Sequence, residues 1–189
     1  MTVKELPQEI RPDSSFRKKV EALSGEKVSA CFQCEKCTNG CPVSFAMDIV
    51  PHKLMRSVHL GLREQVLASD TIWVCASCET CTTRCPNSID IAHVMDTLRQ
   101  ISRKEATPSQ KNIPIFHDAF LASMKRFGRV HEASMAVTYA LKSGGLKGVM
   151  DQAGTGMSMF KKGKVKVLPA KLGGNKQVKD IFRAAERKG

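Results

Sequence analysis

The sequence predicts an all-α fold organised around an internal repeat, and three observations lead to this prediction. All eight cysteines lie in two runs of identical spacing, C-x2-C-x2-C-x3-C-P, which begin at Cys31 and Cys75. Each run is followed by apolar residues at the period of an amphipathic helix. The strict alternation that marks a β-strand is nearly absent. We therefore expect two cysteine loops, each followed by a helix.

Residues 1–28 are predicted to be a polar lead-in that contains one short helix. Asp13 follows a proline and precedes the apolar positions Phe16, Val20 and Leu23, which fall on one helical stripe. Gly25 is expected to end this helix because glycine tolerates the left-handed conformation common at helix ends.

Residues 29–106 are predicted to form one domain from two copies of the repeat, which lie 44 residues apart. An Asp-Ile pair follows each Cys-Pro, and Asp48 and Asp90 are expected to cap the helices that come next. The apolar stripes are Val50, Leu54, Val58 and Leu62 in the first copy, and Ile91, Val94, Met95, Leu98 and Ile101 in the second. The segment between the two runs has room for a helix of about 15–20 residues.

The remainder is predicted to be a helical extension over residues 107–145 and a basic tail over residues 146–189. Phe116, Phe120, Met124 and Phe127 form one stripe, Gly128 breaks it, and a second helix is expected to close at Gly144-Gly145. These helices are expected to pack on the core, to dock a partner, or both. The tail carries eleven Lys or Arg against three acidic residues, or +8 of the net charge of +12. We expect a flexible tail or a short strand, with a helix over residues 178–187, that binds a partner subunit.

The cysteine spacing predicts two [4Fe–4S] clusters, since thiolates are the soft ligands that such clusters take. In two-cluster proteins with this run, the fourth cysteine ligates the other cluster. We therefore expect one cluster on Cys31, Cys34, Cys37 and Cys85, and the other on Cys75, Cys78, Cys81 and Cys41. Zinc and disulfides are the alternatives, but zinc sites usually pair two separated C-x2-C knuckles, and no secretory signal favours disulfides. Four thiolates saturate each cluster, which favours electron transfer, and we predict no catalytic residue.

Several other functions find no support in the sequence. No apolar stretch reaches the roughly 18–20 residues that cross a bilayer, and the N-terminus lacks a signal pattern, so we expect a cytoplasmic protein without a membrane span. Nucleotide and flavin motifs are absent, and the basic tail lacks interleaved aromatic residues, so no nucleic-acid partner is expected. His52, His59 and His93 are interpreted as ordinary helix residues rather than ligands.

The two cysteine runs, together with the segments Ile72-Trp73-Val74, Ile89-Asp90-Ile91 and Gly128-Arg129-Val130, resemble the C subunit of heterodisulfide reductase. The resemblance covers roughly residues 20–145. It implies an α-helical ferredoxin-like module in a hetero-oligomeric oxidoreductase complex. It also implies that the chain relays electrons between the A subunit, which binds flavin, and the catalytic B subunit, which carries Cys-Cys-Gly motifs. This sequence has no adjacent cysteines, so the active site for a disulfide or thiol substrate would belong to the partner. A subunit of another anaerobic complex and a free dicluster ferredoxin remain alternatives.

Overall fold

The computed structural model describes residues 13–105, 109–163 and 175–187, and within these residues every regular element is a helix. The predicted all-α fold is therefore confirmed. The chain divides into two compact units, Met1–Gln110 and Lys111–Gly189. In the first unit the α-helices are α1 (Ser14–Ser24), α2 (Lys36–Asn39), α3 (Pro51–His59), α4 (Arg63–Leu67), α5 (Thr71–Val74), α6 (Thr80–Thr83) and α7 (Ile91–Glu105). Single 3₁₀ turns lie at Val28–Ala30 and Ser44–Ala46.

Helix α1 begins and ends at the predicted residues. The Asp13 carboxylate accepts a hydrogen bond of 2.8 Å from the backbone N–H of Ser15, and Gly25 ends the helix with a φ of 70°. Phe16 and Val20 are buried as predicted, but Leu23 is 59% exposed. The predicted stripe was therefore wrong at its last position.

Three short helices, α3, α4 and α5, occupy the segment where a single helix of about 15–20 residues was predicted, so that prediction was wrong. Helix α3 ends because Gly61 takes a left-handed conformation, with a φ of 74°. Its N–H donates to Val58 O, and the N–H of Leu62 reaches back to Ser57 O, which is the Schellman pattern of a helix end. After this turn the chain forms α4 and α5, and α5 ends directly before Cys75.

The two Asp-Ile pairs have different roles in the structure. Asp90 caps α7 as predicted, because its carboxylate accepts the N–H of His93 at 2.9 Å. Asp48 does not cap α3, which starts after Val50 with Pro51 in its first turn. The Asp48 carboxylate instead binds the start of α5. It accepts hydrogen bonds of 2.7–3.0 Å from Ser69 Oγ, Asp70 N, Thr71 N and Thr71 Oγ1. The two extra residues before Pro51 place Asp48 too far from the first turn of α3.

Helix α7 forms the centre of the first unit and packs against α1, α4, α5 and α6. All five predicted apolar residues of its stripe are buried. Leu54 and Val58 of α3 are also fully buried, whereas Val50 and Leu62, at the ends of that predicted stripe, are partly exposed. The core formed by α3 and α7 therefore lies directly behind the cysteine loops that precede these two helices.

The second unit contains α8 (Asn112–Phe127), α9 (Glu132–Lys161) and α10 (Asn175–Glu186), and α8 packs against both of the others. Gly128 ends α8 with a φ of 77°, as predicted. Gly145 interrupts α9 with a φ of 60°, but the helix resumes and reaches Lys161. The prediction of a flexible tail or strand was therefore wrong for residues 146–161. Helix α10 confirms the predicted last helix, and the Lys-rich residues 164–174 lie outside the described part of the chain.

Candidate metal centres

The two cysteine runs adopt the same local conformation. In the first loop Gln33 and Glu35 have left-handed φ angles of 57° and 63°, and α2 follows. In the second loop Ser77 and Glu79 have φ angles of 49° and 59°, and α6 follows. Left-handed residues between the x2-spaced cysteines curl the backbone into a tight loop. Non-glycine residues rarely take this conformation, so its recurrence at matched positions indicates that the loops are shaped for a common purpose.

Each loop surrounds a small cavity that is lined by four cysteines. The first cavity, called site I here, is lined by Cys31, Cys34, Cys37 and Cys85. The second, called site II, is lined by Cys75, Cys78, Cys81 and Cys41. Helices α2 and α6 pack against each other, which brings the last cysteine of each run to the cavity of the other run. Each cavity thus brings together three cysteines of one run and the last cysteine of the other, and their role as cluster ligands stays a prediction.

Local hydrogen bonds hold the loops against the helices behind them. Thr38 Oγ1 accepts the N–H of His52 at 3.1 Å and contacts His52 Nδ1 at 2.8 Å. In the second copy Thr82 Oγ1 donates to Asp90 Oδ1 at 2.9 Å and accepts the N–H of Ala92 at 3.3 Å. The threonine after the third cysteine therefore ties each loop to the first turn of the next helix. The recurrence of Thr38 and Thr82 in both runs is a sequence signal that we missed.

The second loop is also attached to the start of the first. The Asn87 amide donates to the carbonyl of Ala30, which immediately precedes Cys31. The N–H of Asp90 donates to Glu26 Oε2 at 2.9 Å. These bonds join residues about sixty positions apart and fix Cys85 beside the first loop. Neither Asn87 nor Glu26 was a predicted site residue, because no local pattern marks a contact at this separation.

Several polar groups contact the cysteine sulfurs. Gln33 Nε2 donates to Cys31 Sγ at 3.2 Å, and the N–H of Ile89 donates to Cys85 Sγ at 3.4 Å. Cys78 Sγ lies 3.4 Å from Thr80 Oγ1. Such contacts stabilise sulfur that carries negative charge. Site I therefore has nitrogen donors at two of its cysteines, and site II has a hydroxyl at one.

Burial disfavours free thiolates in both sites. It raises the pKa of the Cys37 thiol, and it raises the pKa of Cys81 to about 11. The side-chain hydroxyl of Thr80 lowers the pKa of the exposed Cys78. Without a bound cation the buried thiols keep their protons near neutral pH. A soft metal would replace those protons, so binding is expected to release protons and to be coupled to folding.

The donor sets fit an iron–sulfur cluster better than the two alternatives. All eight cysteines are free thiols, so the structure contains no disulfide between them. Within the described residues, no three His, Cys, Asp or Glu side chains converge closely enough for a single metal ion. Four thiolates on one zinc ion would lie roughly 3.8 Å apart, given a Zn–S bond of about 2.3 Å. A [4Fe–4S] cluster spreads its thiolate ligands over four irons, so it does not require four sulfurs to converge on a single ion.

His52 lines site I, whereas nothing in the structure places His59 or His93 in either cavity. His52 Nε2 lies 3.5 Å from Glu35 Oε1, and its Nδ1 contacts Thr38 as described above. The ring is therefore held by partners on both nitrogens and completes the rim of the cavity. The interpretation of His52 as a satisfied residue rather than a ligand agrees with these contacts.

The family comparison shows which known domain the segment with the cysteine loops is similar to. Residues 30–90 match the model of a 4Fe-4S dicluster domain, and this segment contains all eight cysteines. The structure and this match together support iron–sulfur clusters as the cofactors of the first unit. Within the described residues, no helix has the length and apolar character needed to cross a membrane.

Two curated proteins show a weaker similarity to the chain. Each is the C subunit of an H(2):CoB-CoM heterodisulfide,ferredoxin reductase, one from Methanothermobacter thermautotrophicus and one from Methanothermobacter marburgensis. Each is 29% identical over 55 residues, which is 29% of this chain and 30% of the relative. The matched segment thus spans less than a third of either protein. The similarity supports an iron–sulfur electron-transfer protein related to these relatives.

Proposed function

We propose that this chain is an electron-transfer subunit that binds one [4Fe–4S] cluster in site I and one in site II. The observation that carries the proposal is the pair of cavities, each lined by three cysteines of one run and the last cysteine of the other. A cluster supplies one-electron chemistry when bound. The chain supplies thiolate ligands and hydrogen bonds to them, and the exposed Cys34 and Cys78 bring one edge of each site to the surface.

The crossed arrangement is tested by comparing spectra of ligand variants. In the full chain, loaded with iron and sulfide without oxygen, Cys85→Ala should lose the same EPR signal as Cys31→Ala. Cys41→Ala should lose the same signal as Cys75→Ala. The unmodified chain should contain about eight irons, from two four-iron clusters. Crossing would be refuted if Cys85→Ala instead resembled Cys75→Ala. A colourless protein loaded with zinc would refute the cluster proposal altogether.

We further propose that the chain works inside a heterodisulfide-reductase-like complex, as a relay between two other subunits. One of them binds flavin, and the other is catalytic and reduces or oxidises a disulfide or thiol substrate. The similarity to the two reductase relatives supports this role. The absence of adjacent cysteines also supports it, since the catalytic Cys-Cys-Gly motif would have to come from a partner. The absence of a membrane-spanning helix among the described residues is compatible with the cytoplasmic location that we propose.

The relay is tested by isolating the full chain with its bound partners under exclusion of oxygen. We expect a flavin-containing chain and a chain with Cys-Cys-Gly motifs to co-purify in fixed ratio. Reduction of the bound flavin should then reduce both clusters before any substrate is added. A monomer without these partners that accepts electrons from a soluble flavoprotein would instead support a free dicluster ferredoxin.

A further inference from the structure

The internal repeat provides a comparison between two sites with the same ligands and the same loop conformation. Positions 44 residues apart are equivalent within the loops, as in Gln33 with Ser77 and Lys36 with Thr80. In the following helices the equivalent residues are His52 and Ala92, because each is the second residue of its helix and donates its N–H to the threonine of the loop. Any difference in chemistry between the sites must therefore come from the other residues around the cysteines.

We infer that site I has the higher reduction potential of the two, so that the chain holds its first electron there. This inference rests on the proposed function, since it requires a cluster in each site. Hydrogen bonds to cluster sulfurs and polar surroundings stabilise the more negative, reduced state and raise the potential.

The hydrogen-bond donors favour site I. Gln33 Nε2 contacts Cys31 at 3.2 Å, and the N–H of Ile89 contacts Cys85 at 3.4 Å. In site II the position of Gln33 is taken by Ser77, whose hydroxyl accepts a hydrogen bond from Arg99 at 2.7 Å. The contact of Thr80 with Cys78 is the corresponding polar contact there, and it is longer, at 3.4 Å, than that of Gln33.

The lining residues differ in the same direction. Site I is lined by Gln33, His52 and Asn87, whose side chains carry amide or imidazole groups, and also by the apolar Phe32, Pro86 and Ile91. In site II the equivalents of His52 and Asn87 are the apolar residues Ala92 and Val43. The site II lining contains Val43, Met47, Ala76, Ala92 and Met95. A less polar lining stabilises added negative charge less well, because it offers weaker dipoles to the reduced cluster.

Nearby charges do not clearly favour either site. The Arg84 side chain lies against Gly40, which precedes Cys41 of site II, and Arg84 itself precedes Cys85 of site I, so this charge is adjacent to ligands of both sites. Glu35 and Glu79 occupy equivalent positions in the two linings and offset each other. Lys36 adds a positive charge to site I, but it is exposed and therefore screened by salt. Arg99 adds a positive charge near site II, and its ion pair with Asp96 at 2.9 Å offsets that charge. The hydrogen-bond donors and the lining thus decide the order of potentials. In a relay that runs downhill, electrons would enter at site II and leave from site I.

A potentiometric EPR titration of the full chain with both clusters, at one fixed pH, tests the inference. We expect two one-electron steps. At any one applied potential the reduced-to-oxidised ratio of site I should be at least tenfold that of site II, which corresponds to midpoints separated by about 59 mV or more. Gln33→Ser, which gives site I the residue of site II, should lower the upper midpoint and leave the lower one unchanged. Gln100→Ser on the exposed face of α7 is the matched control and should move neither midpoint.

The outcomes separate this inference from the proposed function. Two clusters with equal midpoints, or a Gln33→Ser shift confined to the lower midpoint, would overturn the inference while the dicluster function stood. Fewer than two cluster signals in the unmodified chain would overturn the function itself. If Gln33→Ser fails to load site I, His52→Ala provides the same test. It replaces the imidazole with the methyl group found at the equivalent position of site II, and it should also lower the upper midpoint.

Discussion

Replacing Gly61 by alanine should unfold the junction between α1 and α3, and Gly25→Ala offers a matched comparison. Both glycines have left-handed φ angles, 74° at Gly61 and 70° at Gly25. A Cβ at Gly25 would meet no atom within 4 Å. A Cβ at Gly61 would lie 1.8 Å from the carbonyl oxygen of Asp13 and 2.7 Å from its nitrogen. These are backbone atoms of the residue that caps α1, so no side-chain rotation relieves the overlap.

The expected cost follows from what α1 buries. The left-handed conformation alone costs a non-glycine residue about 1–2 kcal/mol, and Gly25→Ala should lose about that much. In Gly61→Ala the cap of α1 must also move away from α3. That shift exposes Phe16 and Val20, which are 2% and 0% exposed in the structure. Each such side chain contributes about 1.5–3 kcal/mol when fully buried. Gly61→Ala should therefore be less stable than Gly25→Ala by about 3–6 kcal/mol.

Urea unfolding of the full chain, followed by circular dichroism under exclusion of oxygen, measures this difference. Hydrogen exchange adds a local measurement, because the amides of α1 should lose protection in Gly61→Ala before the amides of α7 do. Cluster content should fall in parallel if α1 supports the domain that holds the sites. Equal stability of the two variants within about 1 kcal/mol, with α1 still protected, would refute the steric argument.

Two further substitutions test capping interactions. Asp48→Ala removes the acceptor of four hydrogen bonds from residues 69–71. Because the carboxylate is partly exposed, we expect the free energy of unfolding in urea to fall by only about 2 kcal/mol. The control Glu64→Gln, at an exposed position, should lower it by less than about 0.5 kcal/mol. Partial burial raises the pKa of Asp48, but those hydrogen bonds outweigh it and hold the pKa below its ordinary 3.8. The unmodified chain should thus keep its higher free energy of unfolding relative to Asp48→Ala above about pH 4. This difference in stability should shrink as the pH falls through the lowered pKa, and a constant difference down to about pH 3 would contradict the argument. Ser123→Ala removes the acceptor of the His131 N–H at 2.8 Å and should cost about 1–2 kcal/mol of the second unit's stability, whereas no loss would show that this bond is dispensable.

The all-α class and the grouping of the cysteines were predictable from the sequence, whereas several helix boundaries were not. One recurring spacing was enough to predict two sets of four cysteines, and each cavity is lined by one of these sets, while their binding of clusters stays a prediction. Helices α1 and α7 were also predictable, since each combines a capping Asp with an apolar stripe. The capping prediction succeeded at Asp90 because α7 follows that residue directly.

The failures involve residues whose roles depend on distant parts of the chain. Asp48 has the same local sequence signal as Asp90, but Pro51 begins α3 two residues further on, and its carboxylate binds Thr71 instead. Gly61 ends α3 inside an apolar pattern that continues to Leu62, so periodicity alone suggested a longer helix. The helix that follows Gly145 was missed because the glycine-rich composition of residues 146–161 does not favour a helix.

The register between the two copies shows why the difference between the sites needed a structure. The cysteine loops align at 44 residues, and this spacing would pair His52 with Asp96. The helices behind the loops start at Pro51 and Ile91, however, only 40 residues apart. The equivalent of His52 is therefore Ala92, and both bond to the loop threonine of their own copy. The second copy has four fewer residues between the loop and the helix, so only the structure shows that the imidazole on the rim of site I corresponds to a methyl group in site II. The two cavities thus have equivalent cysteines but different surroundings, and on the inferred order of potentials this difference would direct electrons from site II to site I.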